Sequence, residues 1–387
     1  MDASLAWLVV PASYAAWNVY ATARGLAALP HLPNAPNAPT SWPKVSVVVP
    51  ARDEIASIEK ATRSKLESDY PNLEIVLVDD RSTDGTSDVV DRLAAEDPRV
   101  VAVHVDVLPE GWLGKVHALS RGAAAATGDW LLFIDADIHV APDVLRRVVS
   151  VAEEQRIDFV AMMPKLWSGT LGRDIAMAFF VRALIVGSRL WKVTDPHSRV
   201  SVGGGVFNLV RRSAYERTAG FEWIKLELAD DVAFGQMMKQ SRARCAVFEC
   251  VDGLGLYFYE TLGQLMRGLE KNGYAAMGQL LPSRALVTFL LAFYVEIGPL
   301  VALASPMRSL QIGGAALLVV LVFVQVTIAR RLRTPLASAG VPAVGALLFL
   351  LFAVRSVVLT QWQGGVFWRG RFYPLNALRK GRRLEIF

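Results

Sequence analysis

The 387-residue sequence predicts an α/β domain on a mostly parallel sheet, joined to α-helical transmembrane segments. Three observations carry that prediction. Short apolar runs alternate with helical stretches through the first half of the chain, the pattern of successive βαβ units. Four much longer stretches are nearly free of charge, in a chain that is 53% hydrophobic. Acidic pairs stand directly after two of the short runs, and open α/β sheets bind ligands outside the carboxyl ends of their strands.

Residues 3–23 carry no charge between Asp2 and Arg24. A membrane-crossing helix needs about 20 apolar residues, so the run is long enough. It has no basic leader and no small-residue cleavage site, so residues 1–24 are expected to form a retained anchor. Residues 25–43 hold Pro30, Pro33, Pro36, Pro39 and Pro43. That spacing favours extended polyproline II, a semi-rigid spacer holding a soluble domain off the bilayer.

The domain is expected over residues 44–284. Residues 45–49 predict a first strand, 55–67 a helix and 74–78 a second strand. Residues 82–86 form a turn, followed by a helix through Ala95. Residues 100–105 predict a third strand and 116–126 a helix. Residues 130–134, entered through Thr127-Gly128, predict the fourth strand.

Residues 171–192 are apolar but interrupted by Arg173, Asp174, Arg182 and Arg189. They predict a helix lying flat in the membrane interface, or an ordinary packing helix of the domain. A second interfacial helix is expected over about 261–281. Residues 285–307 carry only Glu296, 309–329 none, and 334–368 only Arg355. A transmembrane region of two to three segments is therefore expected over 285–363, with a basic aromatic tail over 364–387.

The mean hydropathy of +0.34 is above that of soluble globular proteins. Net charge is +5, much of it in Arg330-Arg331-Leu332-Arg333 and in the tail from Arg369 to Arg383. Basic residues that flank apolar runs point to headgroup contact and a lipid bilayer, rather than to nucleic acid. Cys245 and Cys250 are too few for a disulfide framework.

Three acidic clusters bear chemistry. Asp79-Asp80 follows the second strand, where a carboxylate can accept from a base or ribose or can simply cap a solvated turn. Asp135 and Asp137 follow the fourth strand. Carboxylates two apart can share one hard cation, Mg²⁺ or Mn²⁺, which often also holds a substrate's phosphates. Asp230-Asp231 opens a predicted helix, where acidic residues are also ordinary first-turn residues.

The order and spacing of five motifs resemble family-2 glycosyltransferases, inverting enzymes with a GT-A fold, over roughly residues 45–285. The motifs are residues 45–54 (Val-Ser-Val-Val-Val-Pro-Ala-Arg-Asp-Glu), 78–86 (Val-Asp-Asp-Arg-Ser-Thr-Asp-Gly-Thr), 114–119 (Gly-Lys-Val-His-Ala-Leu), 133–137 (Phe-Ile-Asp-Ala-Asp) and 229–231 (Ala-Asp-Asp). The resemblance implies that Asp53, Glu54, Asp79 and Asp80 line a nucleotide pocket. It implies that Asp135 and Asp137 hold a donor diphosphate through a divalent metal, with Lys115 a diphosphate contact. Asp231, paired with Asp230, would be the general base. Gly203-Gly204-Gly205 looks like the family's acceptor-side turn.

Many membrane-bound members carry Gln-X-X-Arg-Trp after the base. This chain has Gln264, Arg267 and then Gly268. The missing tryptophan removes a stacking surface for a sugar ring and favours a single transfer over polymer synthesis. Gln264 and Arg267 keep the rest of the motif, with Arg267 able to face a diphosphate or to snorkel to headgroups. The overall plan also resembles ceramide glucosyltransferases and the hopanoid- and carotenoid-associated enzymes.

The resemblance therefore implies transfer of one sugar from a nucleotide-sugar donor, a UDP-sugar first, to a hydroxyl of a membrane lipid acceptor. The alternatives are a processive polysaccharide synthase and a non-catalytic scaffold on a transferase fold. Nucleotide sugars are cytosolic, which would place the domain on the cytosolic face of a bacterial inner membrane. If all three terminal runs crossed, the basic tail would lie outside, against the positive-inside rule. Pro335, Pro342 and Arg355 make the last run the least regular, so a re-entrant or interfacial placement is expected for it.

Overall fold

The computed structural model describes residues 6–385. The start of the expected anchor and the last two residues of the tail lie outside the described residues. In chain order the elements are α1 (Ala6–Ala27), β1 (Val45–Ala51), α2 (Ile58–Leu66), β2 (Leu73–Asp79), α3 (Thr86–Glu96), β3 (Val100–His104), α4 (Gly114–Ala125), β4 (Trp130–Phe133), β5 (His139–Val140), α5 (Val144–Glu154), β6 (Phe159–Leu166) and α6 (Leu171–Ser188). They continue as β7 (Asn208–Arg211), α7 (Arg212–Tyr215), α8 (Asp230–Gln240), β8 (Cys245–Leu256), α9 (Leu262–Gly278), α10 (Pro282–Leu303), α11 (Arg308–Arg331), α12 (Leu336–Ala339), α13 (Pro342–Gln363), β9 (Gly365–Trp368), β10 (Arg371–Pro374) and α14 (Leu375–Gly381).

The chain divides into two compact units. The sheet unit holds Leu29–Lys165, Lys192–Leu256 and Lys380–Phe387. The helical unit holds Met1–Ala28, Leu166–Trp191 and Tyr257–Arg379.

In the sheet unit eight strands run in the order β3-β2-β1-β4-β7-β6-β8-β5. β1 pairs in parallel with β2 and β4, and β2 with β3, so the expected βαβ alternation forms one half of the sheet. β7 joins β4 and β6 antiparallel. The strands of the parallel half are β-branched and leucine-rich because helices cover them. Val47, Val48, Val49, Ile75, Val76, Leu77, Leu131 and Leu132 are all buried. Gly122 lets α4 press directly on Val48 and Val78, where any side chain would collide.

Register positions the site. Ala51 pairs with Asp79, so the chain leaves β1 and β2 at one edge. Phe133 pairs with Asn208 in the antiparallel β4–β7 ladder, which brings the loop entering β7 beside the residues leaving β4.

Part of the proline-rich segment is hydrogen-bonded to the rest of the sheet unit. Leu32 N–H donates to the Glu249 carbonyl at 2.9 Å, and Glu249 N–H to that of Pro30 at 2.8 Å. Arg147 donates to the carbonyls of Leu32 and Pro33 and to Asn34 Oδ1. Polyproline II leaves its backbone carbonyls unpaired, and here the sheet unit takes them up.

In the helical unit, three of the four charges that interrupt residues 171–192 are turned inward, and Arg189 is exposed. Arg173, Asp174 and Arg182 of α6 are all buried. Arg182 donates to Glu296 of α10 at 2.7 Å and to Asn18 of α1 at 3.1 Å, and Tyr14 of α1 donates to the other Glu296 oxygen. Arg173 pairs with Asp174 at 2.6 Å.

Among the described residues, α10, α11 and α13 are long and apolar enough to cross a membrane, and α1 is not in that set. The last apolar run is also more regular than expected. Pro335 precedes the short α12, and Pro342 sits in the first turn of α13, where a missing N–H costs nothing. The tail forms the antiparallel β9–β10 hairpin.

Candidate functional site

The residues leaving β1 and β2 form the first part of the site. Asp53, at a positive φ of 53°, accepts at Oδ1 from Thr83 N–H (2.8 Å) and Oγ1. Its own N–H donates to Ser82 Oγ at 3.0 Å. Glu54 N–H donates to Thr86 Oγ1 at 2.9 Å. The loop after β1 is thus fastened to the turn after β2. Asp79 accepts from Ser82 N–H at 3.3 Å and lies 3.6 Å from His104. A cleft of about 540 Å³ opens there, lined by Asp79, Arg81, Ser82, Asp91, His104 and Asp106 among others. Asp80 is already taken: Arg81 grips both its oxygens at 2.8 and 3.0 Å.

The second part is a lysine among carboxylates. Lys115, in the first turn of α4, places Nζ 2.7 Å from Asp135 and 3.5 Å from Asp230. Burial would lower the Lys115 pKa, but Asp135, Asp230 and Asp231 outweigh it and hold the ammonium well above its ordinary value. Burial raises the Asp135 pKa, with Lys115 pulling against it and Asp137 adding to it. Burial and then Asp230 raise that of Asp231, again against Lys115. Burial and then Glu54 raise that of Asp137.

The glycine turn closes this centre. Gly205 N–H donates to Asp231 Oδ2 at 2.9 Å, and its carbonyl accepts from Asp135 N–H at 3.0 Å. One residue thereby joins the Asp231 carboxylate to the Asp135 backbone, in two motifs almost a hundred residues apart. A Cβ at Gly205 would come within 2.6 Å of Asp135 Oδ2, and one at Gly203 would collide with the Asp231 carbonyl. Gly204 has open space around it and donates to Asn208 Oδ1 at 3.2 Å.

The sequence reading missed Lys65. Ile58, Ala61, Thr62 and Lys65 form the buried face of α2 at helical spacing. That pattern was the available signal, since it puts a lysine on an inward face. Lys65 Nζ donates to the carbonyls of Ala61 and Ile138, bracing the turn after Asp137. Burial brings its pKa down to about 7, against the pull of Asp137 and Asp135.

Gln264 and Arg267 belong to the helical unit. Gln264 is occupied in a capping box at the start of α9: Thr261 Oγ1 accepts its N–H, and its side-chain oxygen accepts from Thr261 N–H at 3.0 Å. The glycine at 268 has a local cause. The Tyr259 ring and hydroxyl fill the space that any side chain at 268 would need.

Among the described residues, no three His, Cys, Asp or Glu side chains come together to hold a metal ion. Asp135 and Asp137 remain a two-carboxylate, hard-oxygen donor set, and the Lys115 ammonium against Asp135 marks a place that attracts a cation. Mg²⁺ and Mn²⁺ suit such a set when a substrate's phosphates complete the coordination. The residues present fit that kind of ion.

Residues 46–218 match the family model described as glycosyl transferase family 2. A β-monoglucosyldiacylglycerol synthase of Synechocystis sp. is 30% identical over 201 residues, covering 49% of this chain and 39% of that protein. A 4,4'-diaponeurosporenoate glycosyltransferase of Staphylococcus haemolyticus is 23% identical over 218 residues, covering 56% of this chain and 57% of that protein. The chain thus spans about half the length of these relatives. The mannosyltransferase PcManGT of Pyrobaculum calidifontis, solved in complex with GDP-Man and Mn²⁺, superposes with a TM-score of 0.54 at 21% identity, covering 93% of this chain and 97% of that one. Residues 46–218 are thus similar to glycosyl transferase family 2, on a fold like that of the mannosyltransferase.

Proposed function

We propose that the protein is a membrane-bound inverting glycosyltransferase that moves a single sugar from a nucleotide-sugar donor, a UDP-sugar first, to a hydroxyl of a membrane lipid. The observation that carries this reading is the Lys115 centre, which gathers Asp135, Asp230 and Asp231 around one cation beside the Gly205 turn. The lipid acceptor is supported by the names of the two relatives, and the membrane by the three apolar helices.

In this reading the base and ribose lie in the cleft beside Asp79, with Asp53 and Glu54 at its edge. Asp135 and Asp137 would hold a divalent cation, which when bound offsets charge on the departing diphosphate. Lys115 supplies a fixed positive charge beside it. The acceptor hydroxyl attacks the anomeric carbon as the bond to the diphosphate breaks, and its proton passes to Asp231. An alcohol is a poor nucleophile until a base takes that proton, and a carboxylate whose pKa is raised by burial is a better base. One base opposite one leaving group inverts the anomeric carbon.

The test is nucleotide-sugar turnover by purified protein in detergent, with bacterial lipid extract, Mn²⁺ or Mg²⁺, and a panel of UDP- and GDP-sugars. Nucleoside diphosphate release with a single-hexose mass shift on a lipid is the expected result. A ladder of sugar masses would instead mark a polymer synthase. Asp231→Asn should abolish transfer while keeping donor binding, and full activity in that variant removes Asp231 from the role of base.

A further inference from the structure

The stretch of chain that carries Asp230 and Asp231 also grips residues 383–385. Glu227, 3% exposed, accepts at Oε2 from the N–H groups of Arg383 (2.7 Å) and Leu384 (2.9 Å). Gln236, equally buried on α8, donates to the Glu385 carbonyl at 3.1 Å and accepts from its N–H at 3.0 Å. Arg383 Nε donates to the Trp223 carbonyl at 3.3 Å. Gly381 lies against Leu226, where a Cβ would come 2.5 Å from the Leu226 Cβ. The same stretch is tied to the lysine side of the site. The Lys225 carbonyl accepts from the N–H of Leu113, the residue that caps α4 ahead of Lys115.

These contacts flank the two carboxylates on both sides. The residues before α8 form only a short 3₁₀ turn, and Ala229 caps α8 with no side-chain hydrogen bond. The start of α8 is therefore placed largely by groups distant in sequence, the Gly205 N–H on Asp231 and residues 383–385 among them. Glu227 is a carboxylate removed from water, which is tolerable only while its oxygens accept hydrogen bonds. The two tail amides supply both of those made to Oε2. Displacing the tail would leave Glu227 seeking other donors four residues ahead of Asp231.

We propose that residues 381–385 are a strap that positions the base-bearing start of α8, with Glu227 and Gln236 as its positioning residues. The inference rests on the reading of Asp231 as general base. It makes transfer depend on residues 381–385, which follow directly on the apolar helical unit in the chain, while donor binding does not. Displacing a reacting group by about 1 Å costs on the order of 10²-fold in rate.

The test uses the full membrane chain, a truncation lacking residues 382–387, and Gln236→Ala, with Asp231→Asn alongside. Turnover is measured with UDP-glucose, UDP-galactose, UDP-N-acetylglucosamine and GDP-mannose on lipid extract, and UDP and GDP binding by calorimetry. The truncation and Gln236→Ala should each lower kcat at least about tenfold, with donor KM and nucleotide affinity within about threefold of the wild type. Wild-type kcat in the truncated chain overturns the strap. So does loss of nucleotide binding in step with kcat in both variants, which marks general unfolding. Activity that survives in Asp231→Asn overturns the base assignment instead, so the two failures are told apart.

Discussion

At the scale of single residues, the glycine turn is where function and fold constrain each other most tightly. Gly205 has an ordinary backbone conformation, so alanine fits its dihedral angles. Its Cβ, however, would press within 2.6 Å of Asp135 Oδ2 and 3.2 Å of Lys115 Nζ. The cheapest relief is to move the carboxylate off the lysine. Gly205→Ala should therefore lower kcat/KM by roughly 10–100-fold with little change in melting temperature. Gly204→Ala, whose Cβ meets no protein atom within 4 Å, changes the same turn without that clash. Equal turnover by the two variants would remove the turn from the site. The carboxylates that end apolar runs were legible because they follow strand and turn chemistry, and these glycines because they resemble the family's acceptor-side turn. The grip of Arg81 on Asp80 was not, since a neighbour in sequence can point anywhere. Nor was the cause of Gly268, because Tyr259 reaches it only through the fold.

At the scale of elements, two buried polar groups tie pieces of chain together. Glu74, at the second position of β2, accepts from Lys44 Nζ (2.7 Å), Thr127 N–H (2.9 Å), Thr127 Oγ1 (2.7 Å) and Ser46 Oγ. Burial alone would raise its pKa, but Lys44, Ser46 and Thr127 outweigh that and bring it from 4.5 down to about 2. A folded-state pKa below the unfolded one stabilises the fold above the unfolded value, and that contribution disappears as pH falls through the folded one. The sheet unit should thus lose roughly 2–3 kcal/mol between about pH 5 and pH 2 through this residue alone. Glu74→Gln should flatten that part of a melting-temperature profile against pH, and an unchanged acid slope would contradict the assignment. In the helical unit, Arg182 and Glu296 are each 1% exposed and join α6, α10 and α1. Removing one partner strands a buried charge, so Glu296→Leu should cost roughly 3–5 kcal/mol, and Arg182→Leu/Glu296→Leu markedly less. A double-mutant cycle in detergent with no coupling would refute this.

At the scale of the whole molecule, chain order constrains membrane topology. The polypeptide leaves the sheet unit after Leu256 and rejoins it at Lys380, where the tail is hydrogen-bonded to Glu227 and Gln236. A chain that leaves one side of a bilayer and returns to it crosses an even number of times. On that rule, the three apolar helices of this stretch are not all expected to cross. α10 and α11 are joined by a short loop, whereas the apolar window of α13 is the most buried of the three inside its unit. The expected arrangement is a crossing hairpin of α10 and α11, with α13 held against its neighbours and the basic tail on the side of the sheet unit, in keeping with the positive-inside rule. Single cysteines at Ser82 and at Arg382 should label from the same side of sealed inverted vesicles. Labelling from opposite sides would require an odd number of crossings and sink the argument.

The sequence by itself determined the alternation of β1 through β4 with their helices, the apolar segments, and the strand-end positions of Asp53, Asp79, Asp135 and Asp137. All of these follow from periodicity and turn chemistry within some ten to twenty residues. Only the tertiary structure decided which groups meet. The β4–β7 register brings Gly205 to Asp135 and Asp231, the packing of α4 on β1 and β2 carries Lys115 into their midst, and residues 383–385 return to α8. Such contacts join loops far apart in the chain, and no local pattern encodes them, because their energy comes from burial and pairing that exist only once the sheet has closed.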